Sequence, residues 1–420
     1  MMKLIKNVKI VFKDNISEGA VLFSDIIEDI ILEDIGNYIE GIRDCLRNNS
    51  LNNSSNYNSS TKEKSENGDL ESLEIVDGKG YYLAPGFIDI HIHGSAGYDT
   101  MDSNLEALKE IGKSLVRSGV TSFLPTTMSM PRKSIDSALR NIQQLVESRD
   151  EGLNGARILG CHLEGPFLNQ DYKGAQSSKD IIKADNKLIE EYLDIIKIVT
   201  IAPEIEGAES FIKFLADNNI VVSAGHSGAS YQKIITAIDW GLSHVTHLFN
   251  AMSKFHHREP GIIGAALTTD LTCELIADFV HVHPAAIKMV LQAKKLEHII
   301  LVTDQMRAGS MGEGEYDLGG QKVFVKDGSA RLENGQLAGS ILTLDQAVRN
   351  IKSVTDEVID IPLYKIINMA TYNPAKCLGM ENEIGHIEKG KRADFVLLND
   401  RIEVTEVFKD GQNVPTGNMN

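Results

Sequence analysis

The sequence predicts an α/β protein, a (β/α)8 barrel of the TIM type with a small discontinuous β-sandwich domain formed by both chain ends. Three observations carry this expectation. Eight short apolar segments between residues 86 and 304 alternate with helical stretches, the pattern of parallel strands joined by crossover helices. β-patterned segments stand at both ends of the chain, at 3–12 and 73–86 and again at 384–400. At 420 residues, 42% of them hydrophobic, the chain can build one large core and a smaller one.

The elements follow in order. KLIKNVKIVF (3–12) and LEIVDGKGYYLAPG (73–86) read as strands of the small domain, which takes residues 1–82 and 381–420 around a barrel at 83–380. Between them, residues 47–69 are rich in Asn and Ser and lack an apolar run. Such a stretch buries too little surface to offset its ordering entropy, so a surface loop is expected. The candidate barrel strands are 86–93, 120–127, 157–164, 197–202, 220–226, 243–248, 273–279 and 298–304. Amphipathic helices are expected at 104–118, 131–148, 208–218, 229–240 and 284–295. After the sixth strand NAMSKFHHREPGIIG (250–264) reads as a long loop, and long loops in compact domains are often functional. A β-hairpin insertion is expected at 319–337 and a helix near 342–355. The segment 384–400 returns to β pattern and is expected to pair with the N-terminal strands.

Composition narrows the function. A net charge of −17 argues against a nucleic-acid or anionic-membrane surface, since such partners need clustered Lys and Arg. Cys45, Cys161, Cys273 and Cys377 are far apart with no CxxC pair, which suits a reducing compartment. The first residues hold no signal-peptide core, and no segment approaches the roughly 20 apolar residues of a membrane helix. A cytoplasmic location is expected.

The polar residues that stand out lie at the C-terminal ends of the candidate strands, where barrels of this type carry their chemistry. In FIDIHIHG (87–94), His91 and His93 share one face of a strand, with Asp89 below them. Strand three ends in Glu164, strand five in His226, strand six in His247 and strand eight in Asp304. Each alone has an ordinary explanation: His226 or Asp304 as a cap, Glu164 as the partner of a lysine. Together, four imidazoles and two carboxylates suit one or two borderline divalent metals. Glu164 is the candidate bridge between the two histidine pairs. A bound metal lowers the pKa of its water toward about 7, and Asp304 beside it could collect the proton. That is the design of a hydrolase.

Longer strings narrow the family. PGFIDIHIHG (85–94), HLEGPF (162–167), AGHS (224–227), THLFNAM (246–252), REPGIIG (258–264), LVTD (301–304) and LAGS (337–340) resemble the amidohydrolase superfamily. Within it the blocks, running from about residue 80 to 400, are most similar to the N-acetylglucosamine-6-phosphate deacetylases. The resemblance implies a metal-dependent hydrolase of a linear amide, acting in amino-sugar catabolism and cell-wall sugar recycling. It implies a homodimer and one or two divalent ions of the zinc, iron or manganese kind. Glu164, His226 and His247 would bind metal, and His91 with His93 would place the chain among the members that hold two. Asp304 would be the general base and acid, and His281 would touch the substrate and polarise the acetyl carbonyl.

The resemblance also implies substrate contacts. A sugar phosphate carries about two negative charges, so an acidic protein must gather donors locally. Arg258, with backbone groups near Asn250 and Ala251, would hold the phosphate, and His257 could reach a partner subunit's site. Leu337, Ala338 and Gly339 would line the sugar or acetyl pocket. One departure is KGAQ at 173–176, which places Gln176 where many relatives have a substrate-contacting histidine. Glutamine can donate a hydrogen bond but cannot become a cation. Arg307 is expected to be loop structure and His283 to be structural. Two rivals remain at this point: hydrolysis of a cyclic amide or nucleobase on the same scaffold, and a non-catalytic sugar-phosphate-binding protein.

Overall fold

The computed structural model describes residues 1–41, 73–148, 155–356 and 360–415, so the Asn/Ser-rich segment at 47–69 lies outside the described residues. Eight parallel strands form the barrel: Phe87–Ile92, Val120–Pro125, a third strand interrupted into Arg157–Ile158 and Cys161–Glu164, Ile196–Ile201, Val221–Ala224, Leu242–Val245, Thr272–Leu275 and Ile299–Leu301. Strands three to eight pair consecutively in one six-stranded parallel sheet. Bridges between Thr126 and His162 and between Ile92 and Gln305 join it to the first two strands and close the barrel. These strands are legible in the sequence because both of their faces are covered, so they read as nearly continuous apolar runs. Phe87, Ile88, Ile90 and Ile92 of the first strand are all buried.

Helices cover the barrel as their amphipathic spacing predicts. Leu105–Val116 is capped by Asn104, which accepts from the Ala107 N–H, and buries Leu108, Ile111 and Leu115. Arg132–Ser148, Ala208–Asp217, Tyr231–Trp240 and Pro284–Ala293 are the other expected helices, the last capped by His283 through its Nδ1.

Two expectations needed correction. The long connection after strand six ends at Pro260, and Gly261–Thr268 is a helix. Nearly all its residues are buried, Ile262, Ile263, Ala265 and Ala266 among them, so it has no polar face and no amphipathic period to read. The insertion after strand eight is a three-stranded antiparallel sheet, Gly314–Leu318, Gln321–Lys326 and Ser329–Leu332, larger than the hairpin expected. Its apolar face packs on Met128 and Met306, which sets it over the C-terminal mouth of the barrel.

Both chain ends build the small domain as one eight-stranded sheet. Met2–Val11 lies at its centre, pairing with Ile16–Phe23 antiparallel and with Leu73–Asp77 and Tyr82–Pro85 in parallel. Phe395–Leu398 joins antiparallel to Tyr82–Pro85, and Val404–Lys409 and Gln412–Val414 extend the sheet. Of the segment 384–400, only these four residues are strand. Phe23 packs edge-on against Phe395 and Phe408, with ring centroids 5.2 and 5.7 Å apart, and so ties the two chain ends together.

The sheet is clasped to the start of the third barrel strand. The Arg157 guanidinium donates to Asp394 at 2.8 Å and to Asp410, and Arg392 reaches the same Asp410 oxygen at 3.0 Å. Charged partners with matched donors and acceptors can be buried in this way without leaving an orphan.

Candidate active site

The barrel brings His91, His93, Glu164, His226, His247 and Asp304 together at its C-terminal end, all buried. His226, His247 and Asp304 each follow a strand by two or three residues. Each has a positive φ, of 48°, 29° and 49°. Non-glycine residues rarely adopt this region, and holding one there costs about 1–3 kcal/mol. The conformation turns the chain sharply off the strand while the side chain stays over the barrel axis. Asp89 braces the last of these turns: Oδ2 accepts from the Thr303 hydroxyl at 2.6 Å, which fixes the residue before Asp304 to strand one.

Hydrogen bonds behind the imidazoles decide which nitrogen faces the centre. His93 Nδ1 lies 3.2 Å from the Thr126 carbonyl, and His226 Nδ1 lies 3.0 Å from the Tyr172 carbonyl. A carbonyl only accepts, so both rings carry a proton on Nδ1 and, when neutral, aim an Nε2 lone pair inward. His91 Nδ1 likewise faces Glu274 at 2.8 Å.

Those lone pairs meet acceptors. Glu164 Oε1 lies 3.1 Å from His226 Nε2 and 3.0 Å from His247 Nε2, while its Oε2 lies 3.2 Å from His93 Nε2. Asp304 Oδ1 is 3.2 Å from His93 Nε2 and 3.5 Å from His91 Nε2. The two Nε2 atoms of His226 and His247 are themselves 3.1 Å apart, and His91 Nε2 is buried with no hydrogen-bond partner. The Nε2 lone pairs of His93 and His226 thus face carboxylate lone pairs, which is repulsive unless a cation lies between them. The carboxylates favour positive charge at this place: burial lowers the His93 imidazole, yet Asp304 and Glu164 outweigh it and raise it.

A divalent metal fits this donor set. Two groups of three have ligand atoms within 4.8 Å of one another, His91/His93/Asp304 and Glu164/His226/His247, with Glu164 in contact with both. A third group, His91/His162/Glu274, is closed, because His162 engages the Ile90 carbonyl through Nδ1 and the Thr200 hydroxyl through Nε2.

His93, Glu164, His226, His247 and Asp304 line a cavity of about 380 Å³, together with His281, Asn250, Ala251, Leu337 and Gly339. His281 is braced by Asp278, whose Oδ2 lies 2.6 Å from its Nδ1 and whose Oδ1 accepts its backbone N–H at 2.7 Å, so Nε2 is left for the cavity.

Of the other predicted contacts, Gln176 also lines the cavity, whereas Ala338, His257 and Arg258 do not. Gln176 is committed inward: Oε1 accepts from the Ser129 N–H and Nε2 donates to Glu164 Oε2 at 2.8 Å, so its amide steadies the carboxylate. Ala338 is buried in the apolar cluster under the three-stranded insertion. His257 and Arg258 sit on an exposed turn, 2.9 Å from each other, outside the cavity lining. Among the described lining residues there is no Lys or Arg. Arg307 ties the loop after strand eight to Asp102 at 2.8 Å, as expected of loop structure.

The comparisons with known proteins agree with this geometry. The model of the amidohydrolase family matches residues 82–414. The chain belongs to the amidohydrolase family. An amidohydrolase is metal-dependent, which accords with the lone pairs converging here. This amidohydrolase is 39% identical over 354 residues to an N-acetylglucosamine-6-phosphate deacetylase of Lysinibacillus sphaericus, covering 83% of this chain and 89% of that one. It is also 39% identical over 346 residues to an N-acetylgalactosamine-6-phosphate deacetylase of Escherichia coli O157:H7, covering 81% and 89%. The structure of a variant N-acetyl-D-glucosamine-6-phosphate deacetylase from Mycobacterium smegmatis, in complex with N-acetyl-D-glucosamine 6-phosphate, superposes with a TM-score of 0.78 at 27% identity. The match covers 99% of each chain.

Sequence reasoning missed Glu274, which lies in CELIAD as a lone acid in an apolar strand, and Asp278, whose role depends on the turn that returns it to His281.

Proposed function

We propose that the chain hydrolyses the acetamide of N-acetylglucosamine 6-phosphate to glucosamine 6-phosphate and acetate, a step of amino-sugar catabolism and cell-wall sugar recycling. The observation that carries this reading is the convergence of inward-facing imidazole lone pairs and two carboxylates on the floor of a sugar-sized cavity. The relatives named above are deacetylases of amino-sugar 6-phosphates.

Glu164, His226 and His247 would hold one divalent ion and His91, His93 and Asp304 a second, with Glu164 between them; zinc, iron and manganese all suit these ligands. Such ions supply Lewis acidity to water and to a carbonyl oxygen. The protein's own residues do the rest. Asp304 takes a proton from water as its oxygen attacks the acetyl carbon, then returns it to the amine nitrogen as the C–N bond breaks. His281, held by Asp278, directs Nε2 at the acetyl oxygen, where negative charge develops.

Since the described cavity lining offers no cation, we read the exposed pair His257 and Arg258 as reaching the phosphate in the neighbouring protomer of a homodimer. A cytoplasmic location accords with Cys161, Cys273 and Cys377, which are free thiols among the described residues.

An acetate-release assay in defined metals tests the reading. N-acetylglucosamine 6-phosphate should be turned over far faster than N-acetylglucosamine; equal rates on the unphosphorylated sugar, or turnover of cyclic amides instead, would overturn it. N-acetylgalactosamine 6-phosphate is the second reading, since the relative that acts on it is as similar as the first. The same assay ranks the two sugars.

A further inference from the structure

We propose that Glu274, on the seventh barrel strand, is a positioning residue that sets which nitrogen of His91 faces the metal place and anchors His247 with the same carboxylate. The proposal rests on the metal reading above and extends it to a residue which that reading leaves without a task.

Glu274 is fully buried. Its Oε2 lies 2.8 Å from His91 Nδ1 and accepts the His247 backbone N–H at 2.9 Å, and its Oε1 lies 3.3 Å from His244 Nε2. A buried carboxylate is costly unless donors surround it, and here three converge. It can only accept, so the proton of His91 sits on Nδ1 and Nε2 is turned toward Glu164 and Asp304, at 3.6 and 3.5 Å.

The other two rings with defined tautomers, His93 and His226, donate to main-chain carbonyls, which no substitution of a side chain removes. His91 alone among these three depends on a side chain. Without that acceptor, a neutral His91 would do better to carry its proton on Nε2, donating to the two carboxylates, and the lone pair offered to a cation would be lost. The bond to the His247 N–H acts on the second ligand group, at a turn whose φ is 29°. One carboxylate therefore orders a residue of each group, the outer-shell arrangement that usually accompanies histidine ligands.

The test compares the full-length wild-type chain with Glu274→Gln, which keeps an acceptor without the charge, and Glu274→Leu, which removes the acceptor. The first readout is the proton on His91 Nδ1, seen by 15N-resolved NMR of histidine-labelled protein. The second is zinc uptake by the chelator-treated protein, measured by titration calorimetry.

In wild type and Glu274→Gln the Nδ1 proton should be present, and in Glu274→Leu it should move to Nε2. Affinity for the more weakly held ion should fall about 10-fold in the Gln variant and about 100-fold in the Leu variant. A wild-type His91 without a proton on Nδ1 overturns the inference, as does a Leu variant with wild-type zinc affinity. If the Leu variant fails to fold, unchanged zinc affinity in Glu274→Gln overturns it. If the wild-type chain takes up no zinc while the Nδ1 proton is in place, the metal reading falls and the tautomer role of Glu274 stands.

Discussion

The third barrel strand carries a charged residue at each end, and their surroundings differ in one respect. At its start, Arg157 meets Asp394 and Asp410, donors facing acceptors, and the cluster is complete. At its end, Glu164 meets imidazole nitrogens whose protons are committed on the far side of the ring, at the Tyr172 and Thr126 carbonyls. Both clusters are largely buried and both are ionic. The first balances itself and serves as a clasp between the barrel and the small sheet. The second sets imidazole lone pairs against carboxylate oxygens, a donor set that suits a divalent cation. The difference teaches that burial of charge does not mark a functional site; the mismatch of donors and acceptors does.

Substitutions at the two ends should separate these roles. The largest effect is expected from Asp304→Asn at the site: turnover should drop by about 10³-fold, within the range lost with a general acid–base group. Folding should survive, and a near-wild-type rate of acetate release would remove Asp304 from the chemistry. Arg157→Met at the clasp should instead cost about 3 kcal/mol of stability, because Asp394 is left buried without its partner. Urea unfolding measures this, and a stability within experimental error of wild type would break the comparison.

Stripping metal should mimic neither change. A chelator should abolish activity and lower the melting temperature, whereas free divalent ion at 100 times its dissociation constant stabilises by about 2.7 kcal/mol. In Arg157→Met the same increment should persist, since its clasp is far from the ligands.

The smallest effect concerns acid. Burial would raise the Asp410 carboxyl, but Arg157 and its other cationic neighbours hold it below its ordinary value of 3.8. A depressed carboxyl adds stability above that pH, and the contribution fades as pH falls through the lower folded value. The stability gap between wild type and Arg157→Met should therefore narrow on acidification below about pH 4. A gap that widens there would show that Asp410 does not titrate with the clasp.

Much of this was open to a reader of the sequence, for physical reasons. Barrel strands buried on both faces declare themselves as apolar runs, and amphipathic helices declare themselves by their period, as at Leu105–Val116. The six candidate ligands were visible because the alternation of elements puts their positions at one rim. The helix Gly261–Thr268 was not legible, since a helix buried all round has no period to distinguish it from an apolar loop. Gln176 could be read as near the site, but not as bonded to Glu164 and to the Ser129 N–H.

The order of strands and the chemical kind of each ligand are thus local properties, carried by residue type and spacing. Which nitrogen faces the centre, which carboxylate stands behind it and which charges find partners are properties of pairs far apart in the chain, such as His91 with Glu274 or Arg157 with Asp410. They are decided only when the barrel closes and the two chain ends meet. A hydrogen bond depends on distances of a few tenths of an ångström that no linear pattern encodes.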